Sequence, residues 1–114
     1  MTEARENGLY SRLRRDLAEA LKSRNRVAVS ALRVAIAAIE NAGAVEPGPA
    51  MPEDLAPADV PRRDVTEDEM VRLVGGEVAE LGAAVEGYES LGQMKAAEEA
   101  RARLAVLKRY LQPG

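Results

Sequence analysis

The chain contains no Cys, no His, no Phe and no Trp, and its whole aromatic complement is three Tyr. Each absence removes a class of chemistry. Without His there is no side chain that ordinarily titrates near neutral pH as a general base. Without Cys there is no thiol nucleophile, and the imidazole and thiolate metal ligands are missing as well. A disulfide framework is excluded too, and nothing suggests export. The longest apolar run falls well short of a membrane span, and the N-terminus lacks a charged-then-apolar signal layout, so a cytoplasmic location is expected. The hydroxyls of Thr2, Ser11, Ser23, Ser30, Thr66 and Ser90 have no sequence-evident activating base. The acidic residues lack the ligand spacing of a calcium-binding hand. No catalytic residue, metal or cofactor is therefore expected.

What is present is aliphatic and charged. The chain has 114 residues, the length of one domain with one core, and 46% of them are hydrophobic. Leu, Val, Ile and many Ala must build that core, which favours closely packed helices over a thick aromatic interior. The net charge is −3, but its sign is uneven. Lys and Arg outnumber Asp and Glu by 8 to 4 over residues 1–33, whereas residues 34–69 hold 2 basic and 9 acidic residues. The first third is thus a local basic patch on an acidic chain.

Four helices are legible. The first runs from about Asn7 to Ser23, with Leu9, Leu13, Leu17 and Leu21 on one side and Arg12, Arg15, Asp16, Glu19 and Lys22 on the other. Arg12 with Asp16, and Glu19 with Lys22, have the spacing of intrahelical ion pairs. After a short turn at Lys22–Asn25, Asn25 caps a second helix that ends near Gly43, a residue suited to a left-handed stop. This second helix is apolar around most of its circumference. One polar stripe (Arg26, Ser30, Arg33, Glu40 and Asn41) remains, and a central, partly covered position is expected.

Residues 44–65 read as a long mobile loop with five Pro. Thr66 and Glu69 then form a capping box for a third helix. Gly75, Gly76, Gly82 and Gly87 interrupt that helix, which predicts a bend or the close approach of another backbone. Ser90-Leu91-Gly92 turns the chain into a fourth helix whose buried side holds Met94, Ala97, Leu104, Leu107 and Leu111. Glu98 with Arg101, and Glu99 with Arg103, have surface-pair spacing. The expected fold is all-α: a single-domain four-helix bundle made of two helical hairpins joined by the Pro-rich loop.

Two stretches resemble a known family. Lys22-Ser-Arg-Asn-Arg-Val-Ala-Val-Ser-Ala-Leu-Arg33, followed by Ala37-Ala38-Ile39-Glu40-Asn41, looks like the "K-x-R-D-K-x-x-L-S-x-L-R … A-A-I-x-N" signature of the YqeY family. Glu86-Gly-Tyr88 through Gly92, then Ala97-Glu98 and Leu107-x-x-Tyr110-Leu111-x-Pro113, is similar to its second signature. That pattern usually continues into a second, smaller helical domain, so the resemblance is to the N-terminal domain. The family's third helix is typically basic where this chain has Gly76, Glu80, Leu81 and Gly82, and its loop is shorter and poorer in Pro. The family is related to the C-terminal region of the B subunit of the Asp-tRNA/Glu-tRNA amidotransferase, a region associated with tRNA recognition. The resemblance therefore implies an accessory role near tRNA, under a carbon–nitrogen ligase label with glutamine as amide donor. Lys22, Arg24, Arg26 and Arg33 are the candidate contacts to RNA or a protein partner, and Ser30, Asn41, Tyr88, Glu98 and Tyr110 are signature positions. Two other roles compete: Arg33 and Ser30 organise the bundle, with Arg33 bonded to a carboxylate such as Glu98, or the chain is a protein-interaction or self-association module with no nucleic-acid role.

Overall fold

The computed structural model describes residues 8–44 and 64–112. They form four α-helices, α1 (Leu9–Lys22), α2 (Arg26–Gly43), α3 (Glu67–Ser90) and α4 (Met94–Lys108), and a closing 3-10 turn at Arg109–Leu111. No strand occurs among the described residues, so the fold is all-α. Most of the Pro-rich segment lies outside the described residues.

The most apolar helix is the central one. α2 packs against α1, α3 and α4. It buries Ala28, Ala31, Leu32, Ala35, Ile36, Ile39 and Gly43. Around it stand Leu9, Leu13 and Ala20 of α1, Val74 of α3 and Val106 and Leu107 of α4. Three small alanines on the buried face of α2, Ala28, Ala31 and Ala35, let its neighbours approach closely, which replaces the missing aromatic bulk. The polar stripe, in contrast, is uncovered: Arg26, Arg33, Glu40 and Asn41 are exposed and only Ser30 is half-buried.

α1 buries Leu9, Leu13 and Ala20, with Leu17 half-buried, while Leu21 is 48% exposed. The geometry of the helix explains the departure. Twelve residues after Leu9, Leu21 has rotated about 120° out of line, whereas eleven residues bring Ala20 back to within about 20°. A strict four-residue repeat walks off the core. Met94 departs too, being 57% exposed. It sits beside the α3–α4 turn, where Leu91 is also 72% exposed. This end of the α3–α4 pair has no cover among the described residues.

Both turns use one device. At the end of α1 the Asn25 N–H donates to the Ala20 carbonyl at 2.9 Å, and the Arg24 N–H to the Leu21 carbonyl at 3.3 Å. At the end of α3 the Gln93 N–H donates to Tyr88 at 2.8 Å, and Gly92 to Glu89 at 3.0 Å. These are paired Schellman closures, which place one residue in the left-handed region. That residue is Gly92 (φ 72°) in one turn and Arg24 (φ 57°) in the other. Asn25 also caps α2, its side chain accepting from the Ala28 N–H at 3.1 Å. α2 itself ends without a left-handed Gly43. Gly43 is the last helical residue, and the extended Ala44 donates to the carbonyls of Glu40 and Asn41.

α3 starts on the expected capping box, with the Glu69 N–H donating to Thr66 Oγ1 at 3.1 Å. It then runs through its glycines unbroken. A Cβ on Gly75, Gly76 or Gly87 would meet nothing within 4 Å, and one on Gly82 would touch Leu104 Cδ1 at 3.7 Å. No backbone approaches closely there, so close packing does not account for these glycines.

α1 has no cap of its own, since Gly8 precedes it. The Glu67 carboxylate of α3 accepts the Leu9 N–H instead, at 3.1 and 3.3 Å. Negative charge there also suits the positive end of the α1 dipole. Tyr10 Oη donates to Glu40 at 2.6 Å, while Arg14 donates to Tyr10 Oη at 3.2 Å, which fastens α1 to the end of α2.

Candidate nucleic-acid interface

The turn between α1 and α2 is where the candidate cations gather. Lys22 closes α1, Arg24 occupies the left-handed turn position and Arg26 opens α2, all three exposed. Arg33 lies two turns further along α2 on nearly the same line as Arg26, about 10 Å away. Lys22 reaches Glu19 at 3.9 Å with both side chains more than 70% exposed, a pairing too solvated to neutralise the charge. Arg24, Arg26 and Arg33 form no ion pair among the described residues. Arg33 and Glu98 are both exposed and do not bond to one another, so the bundle-organising Arg33–Glu98 pair is absent.

The same end of the molecule carries further cations that spacing along the chain does not associate with them. A cleft of about 500 Å³ opens between α1, the start of α2 and the end of α4. Ser23 and Asn25 of the turn line it together with Arg12 of α1 and Arg109 and Tyr110 of the closing 3-10 turn. Lys108 precedes Arg109, and both are exposed. Lys22 and Lys108 also sit in the last turns of their helices, where cations complement the helix dipole. The fold thus brings two helix C-termini, each rich in Lys and Arg, to one end.

Tyr110 is the pivot of this cleft. Its hydroxyl donates to Asp16 Oδ2. The Arg12 guanidinium lies 5.4 Å from the centre of its ring. Burial, and then the Asp16 carboxylate, push the phenol far above its usual pKa, so it remains a protonated donor. The Arg12–Asp16 ion pair expected on α1 is replaced by these two contacts with Tyr110. A residue 94 positions away wins over one at helical spacing, a choice that local spacing cannot reveal.

The other signature positions do not join this end. Tyr88 is 37% exposed near the α3–α4 turn, with the 15 residues of α4, about 22 Å of helix, between it and Tyr110. Asn41 and Glu98 are exposed, and Ser30 is half-buried in a smaller groove of about 150 Å³ with Glu77, Glu80 and Arg103. Burial and then the neighbouring Glu80 push the Glu77 carboxyl above its usual range. Arg103 has its Nε buried without a partner rather than pairing with Glu99. Arg101 pairs with Glu89 across the turn at 2.6 Å, not with Glu98.

Among the described residues no group of three His, Cys, Asp or Glu is placed to hold a metal ion. Among the same residues no helix is long and apolar enough to cross a membrane. No protein-family model, curated protein or solved structure matches this chain.

Proposed function

We propose that this chain is a YqeY-like accessory domain that holds tRNA through its phosphates at the basic end and supplies no catalytic chemistry of its own. In this reading it is one cytoplasmic domain of two helical hairpins joined by residues 44–65. Any carbon–nitrogen ligase activity belongs to partner subunits. The observation that supports the reading is that the cleft lined by Arg12 and Arg109 also takes in Ser23 and Asn25, which neighbour the exposed Lys22, Arg24 and Arg26 in the chain. Phosphate contacts of this kind need exposed, unneutralised cations on a rigid frame, and they position a backbone without reading its sequence.

Titration with labelled bulk tRNA, followed by anisotropy at several salt concentrations, tests it. Four to six phosphate contacts give a slope of log affinity on log salt of roughly −3 to −5. Affinity should therefore fall about 60- to 1,000-fold between 50 and 200 mM salt. The Arg24→Ala/Arg26→Ala double variant should flatten the slope by about 2. Absence of binding at the lowest salt refutes the reading.

A second reading is favoured by a separate observation. Leu91 (72%), Met94 (57%) and Tyr88 (37%) are exposed together at the α3–α4 turn, away from the basic end. They suit a protein-interaction or self-association module. Sedimentation that shows concentration-dependent association, abolished by Leu91→Ser/Met94→Ser, supports this reading; a monomer at every concentration counts against self-association.

A further inference from the structure

The cleft beside Tyr110 is more elaborate than phosphate positioning requires. Its floor is apolar, made by Ala20 and Ala28 with Leu32 and Val106, and its rim carries charges of both signs. The cleft is open to solvent, and its volume of about 500 Å³ is of the size that admits a small ligand. A bare anion would be repelled by Asp16 and Glu19, and a bare cation by Arg12 and Arg109. An apolar ligand would cover part of this charged rim while offering it no polar partner. The lining matches a flat ring that carries an anionic group at one side and hydrogen-bond donors at another.

We propose that this cleft seats one unstacked guanine nucleotide of an RNA strand, with its phosphate on Arg12 and Arg109 and its Watson–Crick edge on the Glu19 and Asp16 carboxylates. The small side chains of Ala20 and Ala28 leave room for the ring, as single-stranded bases are read when splayed from the stack. Guanine alone among the four bases presents two adjacent donors, N1–H and the 2-amino group, on that edge. A carboxylate has two acceptor oxygens to receive them. Adenine and cytosine place an acceptor beside their amino group, and uracil flanks its one N–H with two carbonyls, so each sets a lone pair against the carboxylate. Glu19 is available for this contact, being held only by the solvated 3.9 Å approach of Lys22. Asp16 keeps Oδ1 free, because Tyr110 occupies Oδ2.

The inference rests on the RNA-binding reading above, and the test separates the two. Labelled five-nucleotide RNAs UUGUU, UUAUU and UUIUU, the last with inosine, are titrated by anisotropy beside bulk tRNA. A bidentate edge contact gives UUGUU about tenfold or more tighter binding than UUAUU. Inosine, which lacks the 2-amino donor, should lose most of that preference, a result that does not depend on altering the protein. Glu19→Gln, at an exposed helix position, should abolish the preference while bulk tRNA still binds. Equal affinity for UUGUU and UUAUU with tRNA binding intact overturns the guanine seat and leaves the phosphate reading standing. A guanine preference that survives in Glu19→Gln overturns the assigned edge contact. Failure of all RNAs, tRNA included, overturns both.

Discussion

Arg24→Gly should make this protein more stable and a poorer ligand for RNA. Arg24 has φ 57° at the position that Gly92 (φ 72°) fills in the equivalent turn. A left-handed conformation costs a residue with a Cβ about 1–2 kcal/mol. Placing Gly there removes that cost but widens the unfolded ensemble, which takes back about 0.4–1 kcal/mol. The net gain is about 0.5–1 kcal/mol, equivalent to a rise of about 4 °C in Tm for a domain of this size. The turn's hydrogen bonds are made by the backbone, Asn25 to Ala20 and Arg24 to Leu21, so they survive the change. Circular dichroism at 222 nm through thermal unfolding reads the shift. Arg24→Ala is the control, because it removes the guanidinium and keeps the strained backbone. Both variants should flatten the salt dependence of tRNA binding by about 1, but only the Gly variant should melt higher. A Tm for Arg24→Gly equal to or below that of the parent refutes the strain argument.

Three further outcomes follow from the same structure. Gly75→Ala, Gly76→Ala and Gly87→Ala should each stabilise α3 by up to about 1 kcal/mol, because the added methyl meets no neighbour; urea unfolding measures this, and destabilisation at any of the three would show an unseen close contact. Glu67→Ala should cost about 1 kcal/mol, the range of a lost helix cap, by leaving the Leu9 N–H without its acceptor, and Glu67→Gln should restore most of the loss. Glu77→Gln should be more stable than the parent at pH 7. The raised pKa of Glu77 means that the folded state binds this proton more tightly than the unfolded state, so the parent loses stability as pH rises through the folded pKa. The advantage of Gln should therefore vanish below the ordinary carboxyl value of 4.5, and an advantage independent of pH would refute the assignment to Glu77.

The features that were legible in the sequence are those set by neighbours within a helical turn or two. The capping box at Thr66–Glu69, the Asn25 cap and the central place of the apolar helix all depend on local chemistry, and they stand as expected. What was not legible depends on distant partners. Tyr110 displaces Arg12 from Asp16 across 94 residues, and Glu67 caps α1 across 58. No periodicity encodes either choice.

The candidate site shows the same division. Lys22, Arg24, Arg26 and Arg33 could be named because they crowd one short segment, but the cleft could not, since its walls come from three separated stretches. A hint of it was present all the same. The chain has three Tyr and no larger aromatic residue, and one of those Tyr directly follows Lys108 and Arg109 where α4 closes. The ring packs half-buried against the edge of the core. Its hydroxyl also orients Asp16, and its face lies beside the Arg12 guanidinium. Tyr10 likewise holds Glu40 of α2, so in a core built on alanine two of the three aromatic rings join separate elements through their hydroxyls.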